Sequence, residues 1–311
     1  EVIVKPTTMM YRNMLAMEAE ELLRQHPVDG AVLLGGCDKT TPGLLMGAIS
    51  MDLPVIYCPA GPMSNGRWRG QKVGAGTHTR KYWDEYRAKT ISPEEWVALE
   101  TPMTRSHGTC NTMGTASTMT SIAETLGFCL PGATSIPAAD SGHVRMATDC
   151  GERIVAMIAE DLKPSDILSR GSFENALHVL MALGGSTNAV VHLTALSRRA
   201  GHPLTLADYD RVGRLTPVLA NVFPAGENLM EDFFYAGGLP ALQSRLMDRL
   251  DLTAMTVTGQ PIGAAIEGAR VLDDDIIRPL DKPVQKGEAI AVLTGSLAPD
   301  GAVMKVSAAD P

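Results

Sequence analysis

Residues 28–47, VDGAVLLGGCDKTTPGLLMG, constrain the chain more than any other stretch. An apolar run of the buried-strand type ends in Gly35 and Gly36. A thiol, a carboxylate and an amine follow at once as Cys37, Asp38 and Lys39, and a helix-like pattern resumes after Pro42 and Gly43. LPVIYCPAG (53–61) reads as a second strand, with PGLLMGAIS between the two as a crossover helix. That order predicts a parallel βαβ unit. α/β proteins place their chemistry where strand ends open into Gly-rich loops. Three adjacent titratable or metal-binding groups at such a point are hard to explain as packing.

The spacing of apolar residues predicts an amphipathic helix over 8–25. Residues 62–78, PMSNGRWRGQKVGAGTHT, read as a long functional loop, and helices are expected at 79–89 and 93–100, the second capped by Ser92 ahead of Pro93. A second special loop, SHGTCNTMGTAST (106–118), runs into a helix ending near Gly127. Helical patterns dominate from 143 to about 250, and short alternating segments follow. The expected fold is therefore α/β, a parallel sheet with flanking helices over residues 1–250, then the opening of a β-rich domain over 251–311. SAADP does not complete that domain, so the chain reads as a fragment of a longer protein.

A formal charge of −8 argues against nucleic acid or an acidic membrane as main partner, but leaves room for a local basic pocket. No apolar run reaches membrane-spanning length, and EVIVKPTTMM lacks the pattern of a signal peptide. The five cysteines are odd in number and form no C-x-x-C pair, which favours reduced cytosolic thiols over disulfides or a zinc ribbon.

Cys37-Asp38-Lys39 has two readings. In one, the thiolate takes a soft metal such as iron, the carboxylate takes Mg²⁺, and Lys39 acts as acid or base, or as a carbamate ligand. In the other, a buried cysteine sits beside a surface ion pair. Cys110 lies among small residues that let a bulky inorganic group approach. It and Cys37 could share one cluster. His107 is a further candidate or simply a hydrogen-bonded histidine. Cys58 and Cys129 sit in apolar runs and read as core, and Cys150 is given no role. In GRWRG, Arg67 and Arg69 suit a carboxylate or polyol and Trp68 an apolar wall; equally, Trp68 is a packing latch. Ser186 or Thr187 reads as a helix cap, and Asp273–Asp275 as a solvated turn. GTASTM lacks phosphate-loop spacing, so a nucleotide-binding module has a βαβ unit in its favour but no fingerprint.

CDKTTPGLLMG (37–47) resembles the signature C-D-K-x-x-P-G/A-x-x-x-G/A of the dihydroxy-acid and 6-phosphogluconate dehydratases. GTCNTMGTASTM, LPGATSIPA, LKPSDILSRGSFENA, LGGSTNAVVHL and RPLDKPVQKGEAIAVLTGSLAPDGAVMK extend the likeness over essentially the whole chain. GGCDKTT, GRWRG and MEDFFYAGGLPAL are more similar to the sugar-acid branch, which acts on pentonates such as arabinonate or xylonate. The branched-chain biosynthetic enzyme is the alternative.

The resemblance implies a hydro-lyase that converts a 2,3-dihydroxy acid to a 2-keto-3-deoxy acid. Cys37 and Cys110 would be two of three thiolates on an iron–sulfur cluster, 2Fe–2S rather than 4Fe–4S. Asp38, Lys39 as a carbamate, and Glu1 would be Mg²⁺ ligands, with Lys39 also the catalytic residue of this set. Arg67, Trp68 and Arg69 would contact substrate. The C-terminal segment would open a barrel-like domain, and the protein would be a cytoplasmic homo-oligomer, dimer or tetramer. Family members carry their third cluster cysteine upstream, and a further Mg²⁺ carboxylate and a serine base downstream; no residue here matches these. An iron–sulfur electron carrier or sensor and a metal-free binding module are the rival classes.

Overall fold

The computed structural model describes residues 8–308. The βαβ unit forms as the apolar pattern predicts. Strand β1 (Ala31–Gly35) pairs in parallel with β2 (Val55–Pro59), in register from Ala31 opposite Val55 to Gly35 opposite Pro59. Helix α2 (Thr40–Met51) makes the crossover. β2 is buried along its whole length, whereas β1 is not: Leu33 is buried but Leu34 is 71% exposed. β1 thus falls short of the fully buried strand expected, whereas β2 is also covered on its far side, where Tyr57 N donates to Phe128 O at 2.7 Å. The molecule is thus a mixed α/β structure with a small parallel sheet and flanking helices.

Helix α1 (Thr8–Gln25) lies across α2, and the glycines of α2 explain how closely. A Cβ on Gly47 would stand 2.7 Å from Ala19 Cβ and 2.8 Å from Ala16 O; one on Gly43 would stand 3.1 Å from Arg12 O. Gly43 and Gly47 are one turn apart on the same face, so the backbone of α1 settles into a groove that side chains would fill.

β3 (Gly66–Trp68) and β4 (Gln71–Val73) form a short hairpin turned by Arg69 and Gly70, both at positive φ as a tight right-twisting hairpin requires. Helices α3 (Thr77–Arg87) and α4 (Pro93–Met103) pack on it around Val73, Tyr82, Leu99 and Met103. Ser92 caps α4 as expected: its Oγ accepts from Glu95 N at 3.2 Å, and Glu95 Oε2 accepts from Ser92 N at 2.8 Å.

Helix α5 (Thr115–Thr125) is buried on every side. Several of its hydroxyls bond back to the preceding turn, Thr118 donating to Gly114 O at 2.7 Å and Thr125 to Ser121 O at 2.9 Å. Glu124, fully buried, accepts from Gly132 N at 2.6 Å, Thr134 N at 3.0 Å and Thr134 Oγ1 at 2.6 Å. Burial outweighs these bonds and raises its pKa. Glu124→Ala is expected to cost about 3 kcal/mol, since it strands buried amide donors; the urea midpoint reads this. A carboxyl group raised on folding stabilises most below its unfolded pKa, and that part is lost as pH rises through the folded value. Glu124→Gln should flatten this portion of the pH–stability profile.

The remaining helices are α6 (Ser141–Glu160), α7 (Pro164–Ile167), α8 (Arg170–Ala182), α9 (Asn188–Arg199), α10 (Leu206–Leu215), α11 (Met230–Tyr235), α12 (Gly238–Ser244) and α13 (Ile262–Ile266). Beyond residue 252 the alternating segments AMTVTG and DIIRPL form isolated bridges, Met255 to Pro261 and Ala220 to Ile277. An antiparallel hairpin follows, β5 (Ile290–Gly295) with β6 (Ala298–Lys305). No helix among the described residues is long and apolar enough to cross a membrane.

Candidate active site

Three chain segments meet beyond the C-terminal ends of β1 and β2. Ala60 N donates to Gly35 O at 2.8 Å, Thr109 N to Gly61 O at 2.9 Å and Met63 N to Thr109 O at 2.9 Å. Thr109 thus extends the sheet edge by one parallel bridge, to Pro62. Gly36 fills the gap between them: a Cβ there would lie 2.6 Å from Thr109 Cγ2 and 2.7 Å from Ala60 Cβ. Cys37 and Cys110 each directly follow one of the touching residues, Gly36 and Thr109. Both are half-buried, in contrast to Cys58, Cys129 and Cys150, which are buried.

The three buried thiols have apolar company. Cys58 Sγ and Cys150 Sγ lie 3.9 and 3.7 Å from Met146 Sδ, and burial pushes the Cys129 thiol well up. His107 donates to or accepts nothing from a thiol in this set; its Nε2 lies 3.0 Å from Ala138 O.

Lys39 stands at the N-terminal cap of α2, with its side chain 10% exposed and Nζ 3.4 Å from Asp38 Oδ2. A helix N-terminus disfavours a cation and favours an anion, so an ammonium is the wrong charge for this position. The first turn of α2 is tied down by Thr41, whose backbone N bonds Cys37 O at 3.4 Å and whose Oγ1 lies 2.8 Å from Tyr57 Oη. Lys39 makes no side-chain capping bond to the helix.

Two residues that the sequence does not flag pair between α1 and α9. Arg12 of α1 is 7% exposed; its Nη1 lies 3.2 Å from Nδ1 of His192 on α9, and its Nε and Nη2 reach Asn13 Oδ1 at 3.1 and 2.8 Å. His192 is wholly buried, and its Nε2 has no hydrogen-bond partner among the described residues. Burial, then the charges of Arg12 and Lys39, lower the imidazole pKa to about 3, so it is neutral. The sequence signal was slight, a histidine closing the apolar run NAVVH.

The GGSTN loop before α9 locks onto the start of α5. Ser186 Oγ lies 2.8 Å from Thr115 Oγ1, Asn188 Nδ2 donates to Thr115 Oγ1 at 3.0 Å, and Ser186 N donates to Thr118 Oγ1 at 3.1 Å. Ser186 also accepts from Asn188 N at 3.3 Å, the capping role expected for it, while Thr187 makes no side-chain cap bond. Lys305 reaches this loop from β6, donating to Gly184 O at 2.9 Å, and burial lowers its pKa to about 8.

GRWRG forms the β3–β4 hairpin. Arg69 pairs with Glu95 of α4 and lies over the Trp68 ring, 5.5 Å from its centroid. Trp68 is half-buried against the small core of α3 and α4, and Arg67 is exposed. Lys72 anchors the hairpin base to Asp232 at 2.9 Å. A cleft of about 410 Å³, lined by Ile49, Asp52, Arg199 and His202 among others, lies at the C-terminal end of α2, away from Lys39.

Glu1 lies outside the described residues. Among the described residues no three His, Cys, Asp or Glu side chains gather as a metal-holding group. The donor set itself is nonetheless divided by hardness, two thiols on touching loops beside one carboxylate and an amine.

Comparison with known proteins adds an independent line. The chain matches the family model described as dihydroxy-acid/6-phosphogluconate dehydratase N-terminal over residues 3–265, and the corresponding C-terminal model over 275–311. It is 60% identical to 6-deoxy-6-sulfo-D-gluconate dehydratase of Pseudomonas putida, over 100% of the chain and 54% of that protein. It is 50% identical to L-arabinonate dehydratase of Rhizobium leguminosarum bv. trifolii, over 99% of the chain and 53% of that protein. Against dihydroxy-acid dehydratase of Caldicellulosiruptor bescii the identity is 40%, over 98% and 55%. The chain spans about half the length of the curated relatives it matches.

Proposed function

The chain belongs to the dihydroxy-acid/6-phosphogluconate dehydratase family, and on that premise we propose that it carries the cluster- and magnesium-binding part of a sugar-acid hydro-lyase. The reaction is loss of water from a 2,3-dihydroxy acid to give a 2-keto-3-deoxy acid. The observation that carries this reading is the contact of Gly36 with Thr109, which sets the backbones leading into Cys37 and Cys110 side by side.

Cys37 and Cys110 would hold an iron–sulfur cluster of the 2Fe–2S type, and Asp38, Lys39 as a carbamate, and Glu1 would hold Mg²⁺. Bound there, the metals would supply Lewis acidity, Mg²⁺ toward the carboxylate and C2 hydroxyl and iron toward the departing C3 hydroxyl. The chain's own residues do the positioning. The sheet edge and the Thr41–Tyr57 bond fix the Cys37 loop, and the near-complete burial of Lys39 keeps water from its amine. The base that removes the C2 proton is not assigned to a residue of this chain. Residues 1–250 form the metal-binding unit and 251–311 the opening of a barrel-like domain, within a cytoplasmic homo-oligomer.

Identities of 60% and 50% to a sulfogluconate and an arabinonate dehydratase, against 40% to a dihydroxy-acid dehydratase, favour a polyhydroxylated substrate. The exposed guanidinium of Arg67 is the substrate contact of the hairpin, and Arg69, engaged by Glu95, latches it with Trp68. The test is keto-acid formation by the complete protein on a panel of pentonates, hexonates, a hexonate with an anionic C6 group, and 2,3-dihydroxy-isovalerate. The sugar acids are expected to give the higher kcat/KM, and Arg67→Ala to lower it about tenfold through one lost charge-assisted bond. Preference for dihydroxy-isovalerate would move the protein to the amino-acid biosynthetic branch.

A further inference from the structure

Arginine only donates hydrogen bonds. The contact of Arg12 Nη1 with His192 Nδ1, at 3.2 Å, therefore makes Nδ1 the acceptor. A neutral imidazole that accepts at Nδ1 carries its proton on Nε2. That N–H is buried and has no acceptor among the described residues. Buried donors are almost always satisfied, so an orphan of this kind asks for an explanation. Arg12 is a second oddity: a buried guanidinium with Asn13 and His192 as its partners and no carboxylate among the described residues. α9 runs along α2, where Arg199 Nη1 donates to Met46 O at 3.4 Å, and Arg12 O would lie 3.1 Å from a Cβ on Gly43, one turn from Lys39, whose charge acts on His192. An ammonium there offers a further donor to an N–H that already lacks an acceptor, at a helix N-terminus; an anion would suit both the N–H and the helix end.

We propose that Arg12 and His192 form a positioning dyad for the anionic form of Lys39, with the guanidinium fixing the imidazole tautomer and Nε2–H donating to an oxygen carried by the lysine. This rests on the reading of Lys39 as a carbamate. That group forms when the neutral amine attacks the carbon of CO₂: one N–C bond is made, one C–O π pair moves to oxygen, and one amine proton leaves to solvent. No oxidant or reductant is needed. The dyad would orient the new oxygens, which would be the lysine's contribution to holding Mg²⁺. Its role is the outer-shell one of orienting a ligand.

The test uses the complete, cluster-loaded protein. Mg²⁺ affinity is measured by isothermal titration, and the carbamate by its carbon NMR signal after equilibration with isotopically labelled bicarbonate. Cluster absorbance and melting temperature report on the scaffold. His192→Phe is expected to weaken Mg²⁺ binding about ten- to hundredfold and to diminish the carbamate signal, with cluster absorbance kept. His192→Gln, which keeps an N–H donor, should restore most of both. Arg12→Met, which frees the tautomer, should lower both in the same direction, and it decides the matter if His192→Phe does not fold. Unchanged Mg²⁺ affinity and carbamate signal in the folded variants would overturn the dyad alone. Loss of melting temperature with normal Mg²⁺ affinity would assign the pair to packing and overturn it as well. A wild-type protein with neither Mg²⁺ binding nor a carbamate signal would overturn the reading of Lys39, and the dyad with it.

Discussion

Asp38→Asn or Lys39→Ala in the complete protein is expected to abolish turnover while the visible absorbance of the cluster survives. The reason is a division of labour between soft and hard donors. Thiolates retain iron, whereas oxygen donors retain Mg²⁺. Lewis-acid stabilisation of the reacting oxygens is worth several kcal/mol, so its loss should cost about a thousandfold in rate. The scaffold should tolerate both changes. Lys39 makes no side-chain capping bond to α2, and Asp38 is about a third exposed with Lys39 as its ion-pair partner. Keto-acid assays and absorbance spectra on the same preparations separate the two effects. Near-normal rates in either variant would mean that the Asp38–Lys39 pair serves structure only.

Gly36→Ala is expected to prevent cluster assembly altogether. The added methyl would stand 2.6 Å from Thr109 Cγ2 and 2.7 Å from Ala60 Cβ. Carbon atoms pack best at about 3.5–4.0 Å, so the loops must part by about 1 Å. Neither neighbour yields easily. Ala60 Cβ is fixed to a backbone bonded to Gly35 O at 2.8 Å, and Thr109 Oγ1 is held by Gly61 O at 3.3 Å. The displacement falls on the backbones entering Cys37 and Cys110. Iron content and absorbance of the anaerobically purified variant measure the outcome, and full cluster occupancy would show that the two loops need not touch for the cluster to form.

The frame of this site was legible because its signals are local. A period-two or unbroken apolar run, a glycine pair and a proline after it identify a strand, a loop and a helix within a few residues of Cys37. What brings other residues to that loop is not local. Gly36 reads as a turn glycine until Thr109, far along the chain, is found against it. Arg12 has the pattern of a solvated helix position; it is buried because α1 sinks onto Gly43 and Gly47. His192 lies in an apolar run, where a histidine reads as core, and its significance comes from Arg12 on a different helix. Trp68 and Arg69 were ambiguous between wall and latch, and only the position of Glu95 on α4 shows what Arg69 holds. The β-like texture after residue 252 was misleading in detail, since short apolar alternation also suits the single bridges seen at Met255 and Ile277.

The most direct test of the central proposal is Mössbauer spectroscopy of the complete, iron-enriched protein in Mg²⁺ buffer, with and without a saturating pentonate. The expected result is a spectrum of a 2Fe–2S cluster in which the sugar acid shifts one iron site and leaves the other unchanged, with no change in oxidation state. A cluster indifferent to the sugar acid but reversibly reduced would instead make this protein an electron carrier or sensor, and the absence of any cluster signal would contradict the proposed site outright.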